Sequence, residues 1–357
     1  MNALHTKKRG RLKAAFLVGV VAVLLVFTSC RKDLCYDHDE HALAVKTEVQ
    51  PQWMQEWENP YQGDSYDLNW KQIWETRNWP GDYNDFRPAV PNGIRCVIRT
   101  EDSRLISSNL KEIGGALNMP PGRHELLFYN NDTEYIVFEH TDQPTLTTAN
   151  TRPRSRAGYQ APQGHEDERT ISPPDMLYAS YVPQYEAGLS LKPDQLSVTM
   201  FPRTYSYLVR YRFKSGLEYV AQAKGALTGM TDKAYLHDGH TDATPATLLF
   251  DCKVDDIGCT AKVMSFGVPN FAYKLNEYTD NPAKLHFVLN LEVMLKNGKR
   301  LNYNLDVSDI MRAQPRGGIL LFPDIEVSDK DGNENTGGFD PDVGDWEDVI
   351  DIPLPID

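Results

Sequence analysis

The sequence has none of the short motifs that announce common catalytic chemistry. It contains no GxSxG nucleophile elbow, no P-loop, no GxGxxG turn and no HExxH pair. The HEL triplet beginning at His124 has no second histidine at the required spacing. Carboxylate pairs for glycoside hydrolysis leave no such signature, because their separation is set by the fold. Positive charge is in deficit: 37 Lys and Arg stand against 50 Asp and Glu, a net of −13. That balance excludes nucleic acid and anionic lipid surfaces as expected partners. Long helical periods are also scarce, whereas 23 Pro, 24 Gly and 18 Tyr mark a chain with many turns. The expectation is an all-β protein with room for about two domains, no cofactor and no metal.

Two local absences define the N-terminus. Residues 1–13 hold five cations and no acid, and Ala14 to Phe27 hold no charge. Thr28-Ser29-Cys30 closes the run. This is the basic, apolar, small-residue order of a secretory signal, and its apolar core is shorter than the roughly 20 residues of a membrane span. A cysteine directly after a small residue resembles the lipobox of bacterial lipoproteins, although Phe27 is unusual for its position. The resemblance implies cleavage before Cys30, diacylation of its thiol and attachment to the membrane through that lipid. Loss of residues 1–29 removes five cations and takes the net charge from −13 to −18.

Beyond Cys30, the cluster Asp37-His38-Asp39-Glu40-His41 reads as a solvated leader, since no rigid spacing fixes a metal geometry. Residues 51–91 contain all but one of the six tryptophans. Trp53 and Trp57, like Trp70 and Trp74, are spaced for one helical face each. They predict short helices that pack against a sheet or, alternatively, stack on sugars.

From Ile94 the period changes to two. Ile94, Cys96 and Ile98 share one face, with Arg95 and Arg99 on the other. His124 to Phe128 and Tyr135 to Phe138 read as strands around an Asn130-Asn131-Asp132 turn. Residues 149–174, dominated by Thr, Arg, Pro, Gly and Gln, read as a long exposed loop open to trypsin between Arg152 and Arg156. Val209, Tyr211 and Phe213 alternate with Arg210 and Arg212. Leu285, Phe287, Leu289, Leu291, Val293 and Leu295 alternate mostly with polar residues, and Asn297-Gly298 offers a type I′ turn into Leu301, Tyr303, Leu305 and Val307. One-sided alternation implies a β-sandwich, each strand facing a core on one side and water on the other.

Five cysteines are present, and acylation of Cys30 would leave Cys35, Cys96, Cys252 and Cys259. Cys252 and Cys259 bracket a short connection between strands, so they form a candidate disulfide in an oxidising compartment; the alternative is two buried thiols facing different sides. The tail from Ser328 is acidic and Gly-rich. Asp329, Asp331, Asn333 and Asn335 alternate like a calcium loop, but the glycine is misplaced and no closing Glu follows. At the end, Ile350, Ile352, Leu354 and Ile356 share one face of an extended segment, with Asp351, Pro353 and Pro355 between them. The prolines remove donors from one edge, so this segment is a candidate donor strand that pairs along its other edge, within the chain or with a partner; the alternative is a disordered terminus.

Four stretches carry a family resemblance: Lys32 to His38, Leu126 to Glu134, Tyr205 to Tyr211 with Gly225 to Met230, and Gln314 to Gly318. Together they resemble an uncharacterised Bacteroidales lipoprotein family similar to the FimB- and Mfa-type fimbrial anchor subunits. The resemblance implies two tandem transthyretin-like β-sandwich domains, displayed on the outer membrane at the base of a fimbria. The expected division is a signal peptide at 1–29, a lipidated leader with Trp-rich short helices at 30–92, β-sandwiches at 93–203 and 204–327, and an acidic tail at 328–357. The expected function is a non-enzymatic fimbrial anchor or accessory subunit for cell adhesion, with a pilin or other surface protein as partner. The Trp cluster motivates an alternative, a surface glycan-binding lipoprotein of a polysaccharide-uptake system, and the silent carboxylates a third, a hydrolase.

Overall fold

The computed structural model describes residues 45–55, 87–189 and 192–333. The first half of the chain supplies β1 (Val45–Trp53), β2 (Gly93–Thr100), β3 (Leu105–Lys111), β4 (Gly115–Met119), β5 (Gly122–Tyr129), β6 (Ile136–Glu139), β7 (Thr148–Thr151), β8 (Arg169–Ile171), β9 (Tyr178–Ala187) and β10 (Asp194–Pro202). Seven of these form one sheet in the order β3-β2-β5-β9-β10-β1-β4. The period-two face of β2 behaves as its sequence predicts: Ile94, Cys96 and Ile98 are at most 1% exposed. They pack with Val49, Leu126, Phe128 and Met200 in a core inside the curved sheet.

β1 was expected to lie in a helical leader and is instead a strand, parallel to β10 and antiparallel to β4. Thr47 and Val49 point inward and are buried, and this alternation prevails over the i, i+4 spacing of Trp53 and Trp57. Trp53 ends the strand with its ring edge-on to Tyr178, centroids 5.0 Å apart, and its Nε1 donates to the Glu112 carbonyl at 2.9 Å. Trp57, Trp70, Trp74 and Trp79 lie outside the described residues.

The second half supplies β11 (Tyr205–Ser215), β12 (Val220–Thr231), β13 (Lys233–Tyr235), β14 (Pro245–Asp255), β15 (Gly258–Ser265), β16 (Phe271–Ala272), β17 (Glu277–Tyr278), β18 (Val288–Leu295), β19 (Arg300–Asp306), the helix α1 (Ser308–Ala313), β20 (Gly318–Glu326) and the short helix α2 (Asp329–Asn333). Its main sheet runs β19-β18-β12-β14-β15-β11-β20, with β8 from the first half added beside β14. Tyr207, Val209, Tyr211, Leu289, Leu291 and Val293 fill its core. Two tyrosine hydroxyls buried in this core are satisfied: Tyr207 donates to the Gln314 carbonyl and Tyr211 to that of Asn290. The chain is thus all-β, with two tandem sheet domains, each around its own apolar core.

Three features join the domains. β13 of the second half pairs with β7, which pairs with β6, forming a small sheet over the outer face of the first domain. A third core lies beneath it, where Val97, Leu127 and Tyr129 meet Ala234, Leu236 and Phe266. The third feature is residues 152–172, expected to be an exposed loop and found as a strap across the outer face of the second sheet. Two of its arginines turn inward. Arg154 donates to the Leu249 carbonyl at 2.8 Å and Arg156 to that of Gly225 at 3.0 Å.

The strap explains another departure. β18 was expected to have one wet face, but every residue from Val288 to Leu295 is buried. The polar face of β18 is covered because Glu292 lies against Arg156, and Asn290 donates to the side chains of Asn302 and Asn304. Nor do β5 and β6 form the expected hairpin: β5 sits between β2 and β9. Asn130 ends it by accepting from the Tyr178 amide, 2.7 Å away. At the β18–β19 turn only Gly298 has positive φ, and Leu295 pairs with Lys299, so the connection is a three-residue loop rather than type I′.

Candidate functional site

For a protein whose sequence points to assembly, the relevant chemistry is unpaired backbone at sheet edges. Among the described residues β19 pairs only with β18, and β20 only with β11, so these two strands are the ends of the second main sheet. They approach one another where the Tyr303 hydroxyl donates to the Glu326 carbonyl at 2.9 Å, with no ladder between them. The chain leaving β20 is held close to the start of β19. Tyr219 donates to Asp329, Lys299 Nζ pairs with Asp331 at 2.8 Å, and Asn297 donates to the Asp331 carbonyl at 2.7 Å. These contacts also dispose of the calcium-like pattern. Asp329 and Asp331 take different protein donors, so they do not converge on one cation. Cys30 and the face formed by Ile350, Ile352, Leu354 and Ile356 lie outside the described residues.

The candidate bridge is absent: Cys252 and Cys259 are both free thiols here, as is Cys96. The β14–β15 register explains it. Val254 is directly opposite Cys259, which leaves Cys252 two residues along on the same face, a diagonal neighbour at a span longer than a disulfide favours. Both thiols therefore point into the second core, on one side rather than on different sides. Burial pushes the Cys259 thiol up to about 12, and burial likewise raises Cys252 and Cys96. Native protein at pH 8 should therefore resist iodoacetamide at all three, and alkylation should become complete in urea without reductant. Peptide mass spectrometry reads both states; a Cys252–Cys259 peptide pair resistant to alkylation in urea would reject the free-thiol arrangement.

The sequence reading passed over two side-chain clusters. One is the tetrapeptide His237-Asp238-Gly239-His240 between β13 and β14. The other lies under the strap. There Glu168 accepts from the Gly229 amide at 3.0 Å and the Thr247 hydroxyl at 2.7 Å, and pairs with His165 at 2.5 Å. His165 in turn shares a hydrogen bond with His286 at 2.8 Å, and His286 approaches Asp306 at 3.5 Å. This second cluster has no contiguous signature, since its members come from five separate segments, around residues 165–168, 229, 247, 286 and 306. The first was visible as two histidines flanking an aspartate within four residues.

Residues 81–251 match the model of a family described as a domain of unknown function, DUF5119. A curated protein of Bacteroides ovatus named "Putative fimbrium anchoring subunit Fim4B" is 24% identical over 302 residues, covering 76% of this chain and 88% of that protein. Among solved structures, a crystal structure described as a "putative adhesin" from Bacteroides ovatus aligns with a TM-score of 0.52 and 20% identity, covering 83% of this chain and 93% of the other. The fimbrial anchor protein Mfa2 from Porphyromonas gingivalis aligns at 10% identity with a TM-score of 0.41, covering 77% and 90%. The chain is similar to a protein named as a putative fimbrium anchoring subunit. The solved adhesin shares the two-domain β fold. The segment matching the family model runs from before β2 into β14 and so includes the strap and the His237–His240 loop.

Proposed function

We propose that this protein is a non-enzymatic outer-membrane lipoprotein that serves as a fimbrial anchor or accessory subunit in cell adhesion. The observation that carries the reading is the end of the second sheet: among the described residues β19 has no ladder partner beyond β18, and the chain leaving β20 is held beside the turn that leads into it. Likeness to a fimbrium anchoring subunit over most of both chains supports it. In this reading the lipid on Cys30 holds the chain to the membrane, and a pilin or other surface subunit is the partner. No catalytic or cofactor role is assigned.

The segment bearing Ile350, Ile352, Leu354 and Ile356 then adds as a strand, to this sheet or to a partner's. Residues 334–348 can span up to about 50 Å, and β19 is about 24 Å long, so the linker reaches either edge. Trp53 gives no support to a sugar-stacking platform, because its ring is committed to Tyr178.

The test is mild surface crosslinking and pull-down with the full chain, with residues 349–357 deleted, and with Ile352→Asp. A pilin-type subunit should be captured by the full chain and lost from both variants. An unchanged Tm in the variants assigns the strand to the partner, and a lowered Tm assigns it to this chain. Unaltered capture and Tm would reject the added strand. Recovery of glycan-uptake proteins without any pilin would overturn the fimbrial reading itself.

A further inference from the structure

The loop between β13 and β14 gathers two imidazoles and a carboxylate. A ring nitrogen of His237, a ring nitrogen of His240 and a carboxylate oxygen of Asp238 all lie within 4.8 Å of one another. His240 Nδ1 is 2.6 Å from Asp238 Oδ1, and His237 Nε2 is 3.2 Å from Asp238 Oδ2. Tetrahedral zinc, with bonds of about 2.0–2.1 Å, separates its ligand atoms by about 3.3 Å, so small side-chain rotations suffice.

The loop is held rigidly for this. The Gly239 amide donates to the Tyr235 carbonyl and the Tyr235 amide to the His240 carbonyl, each at 2.9 Å. Tyr235 stacks on His240 with centroids 3.9 Å apart, and Tyr181 meets the His237 ring edge-on. The Leu236 amide donates to the Thr147 carbonyl, which ties the loop to the first domain.

Two further features define the cluster. His237 faces the carboxylate through Nε2, and its Nδ1 is buried without a hydrogen-bond partner. Arg203, the fully buried cation nearby, gives its hydrogen bonds to the carbonyls of Leu236 and Pro202 and its face to Tyr273. Asp238 Oδ1 also accepts from the His240 backbone amide at 3.1 Å, so the loop itself holds the carboxylate with an oxygen toward each imidazole. All three side chains are only half-buried, so an ion has a path in and water can fill a remaining position.

We propose that His237, Asp238 and His240 form a binding site for a divalent transition metal of the zinc class at the junction of the two domains. Two nitrogens and one oxygen suit Zn²⁺ or Co²⁺, whereas Ca²⁺ needs six to eight oxygens. The hydrogen bonds to the carboxylate break on binding. Each neutral imidazole then carries its proton on the nitrogen opposite the metal. Because the loop is tied to Thr147, occupancy also raises the Tm of the whole protein.

The test uses the full chain in detergent, without a histidine tag. Zn²⁺ calorimetry should give one ion per chain, and Co²⁺ should give the intense visible bands of a tetrahedral site. Asp238→Asn and His240→Gln should each weaken Zn²⁺ binding by at least about tenfold and abolish the Tm gain. Circular dichroism of the metal-free variants checks their folding, and the wild-type Co²⁺ spectrum stands apart from any variant. Absence of a tetrahedral Co²⁺ spectrum, or equal Zn²⁺ affinity in wild type and both folded variants, would overturn the proposal.

Discussion

Arg156→Ala is expected to destabilise the protein by about 3 kcal/mol, the scale on which removing one partner strands a buried charge. The Arg156 and Glu292 side chains are 7% and 8% exposed and lie 3.8 Å apart. Burial draws the guanidinium below its ordinary value, and Glu292 opposes that shift. Truncation would remove the guanidinium from the buried Glu292 carboxylate, leaving it only the half-buried Lys224 across the ladder, remove a donor from the Gly225 carbonyl, and expose the ring of Tyr159, over which the guanidinium sits at 4.9 Å. The pair is not an efficient stabiliser in itself, since Arg156 Nε and Glu292 Oε1 are buried without partners. The double variant Arg156→Met, Glu292→Leu should therefore recover most of the loss, to within about 1 kcal/mol of wild type. Urea unfolding of the wild type, the single variants Arg156→Met and Glu292→Leu, and the double variant closes the cycle. Trypsin gives a second readout. Cleavage after Arg154 should be slow in the wild type, where that side chain bonds Leu249 and Asp251, and faster in Arg156→Ala. No loss of stability in the single variant would mean that the strap is not packed.

The strap is also where reading from sequence meets its limit. The alternation of Ile94, Cys96 and Ile98 was legible because their burial depends on period alone. The strap was not, since Arg154 and Arg156 are satisfied by the carbonyls of Leu249 and Gly225, 95 and 69 residues away along the chain, and composition cannot reveal such partners. The inferred water face of β18 failed for the same reason: Glu292 is polar, and only its distant partner makes its burial tolerable. β1 was misread because its neighbours, β10 and β4, are non-local, so that a helical spacing of two tryptophans was the stronger local signal. Of the candidate residues, Cys252 and Cys259 were rightly brought to adjacent strands, but register decides whether thiols can bond, and register is a property of the ladder. The His237–His240 cluster is contiguous, yet its geometry depends on the turn closed by Tyr235 and on support from Thr147 and Tyr181.

Gly229→Ala is expected to cost more than about 3 kcal/mol, through backbone strain and a collision acting together. Gly229 lies where the β12–β14 register shifts, between Leu227 and Met230, and has φ +76°. A left-handed residue with a Cβ costs about 1–2 kcal/mol by itself. Here the added Cβ would also fall 2.2 Å from the His286 carbonyl oxygen, a backbone atom that cannot swing aside. Relief of that contact would displace the Gly229 amide from Glu168, which accepts it at 3.0 Å, and Glu168 positions His165 against His286. Strain in one strand is thereby transmitted to the strap. Gly164 is the control, because its φ is +86° but a Cβ there would meet nothing within 4 Å. Gly164→Ala should cost only the backbone term, about 1 kcal/mol, and leave trypsin resistance of the strap intact. Thermal unfolding and limited proteolysis distinguish the two. Similar losses at both positions would show that the bulge is not coupled to the strap through Glu168.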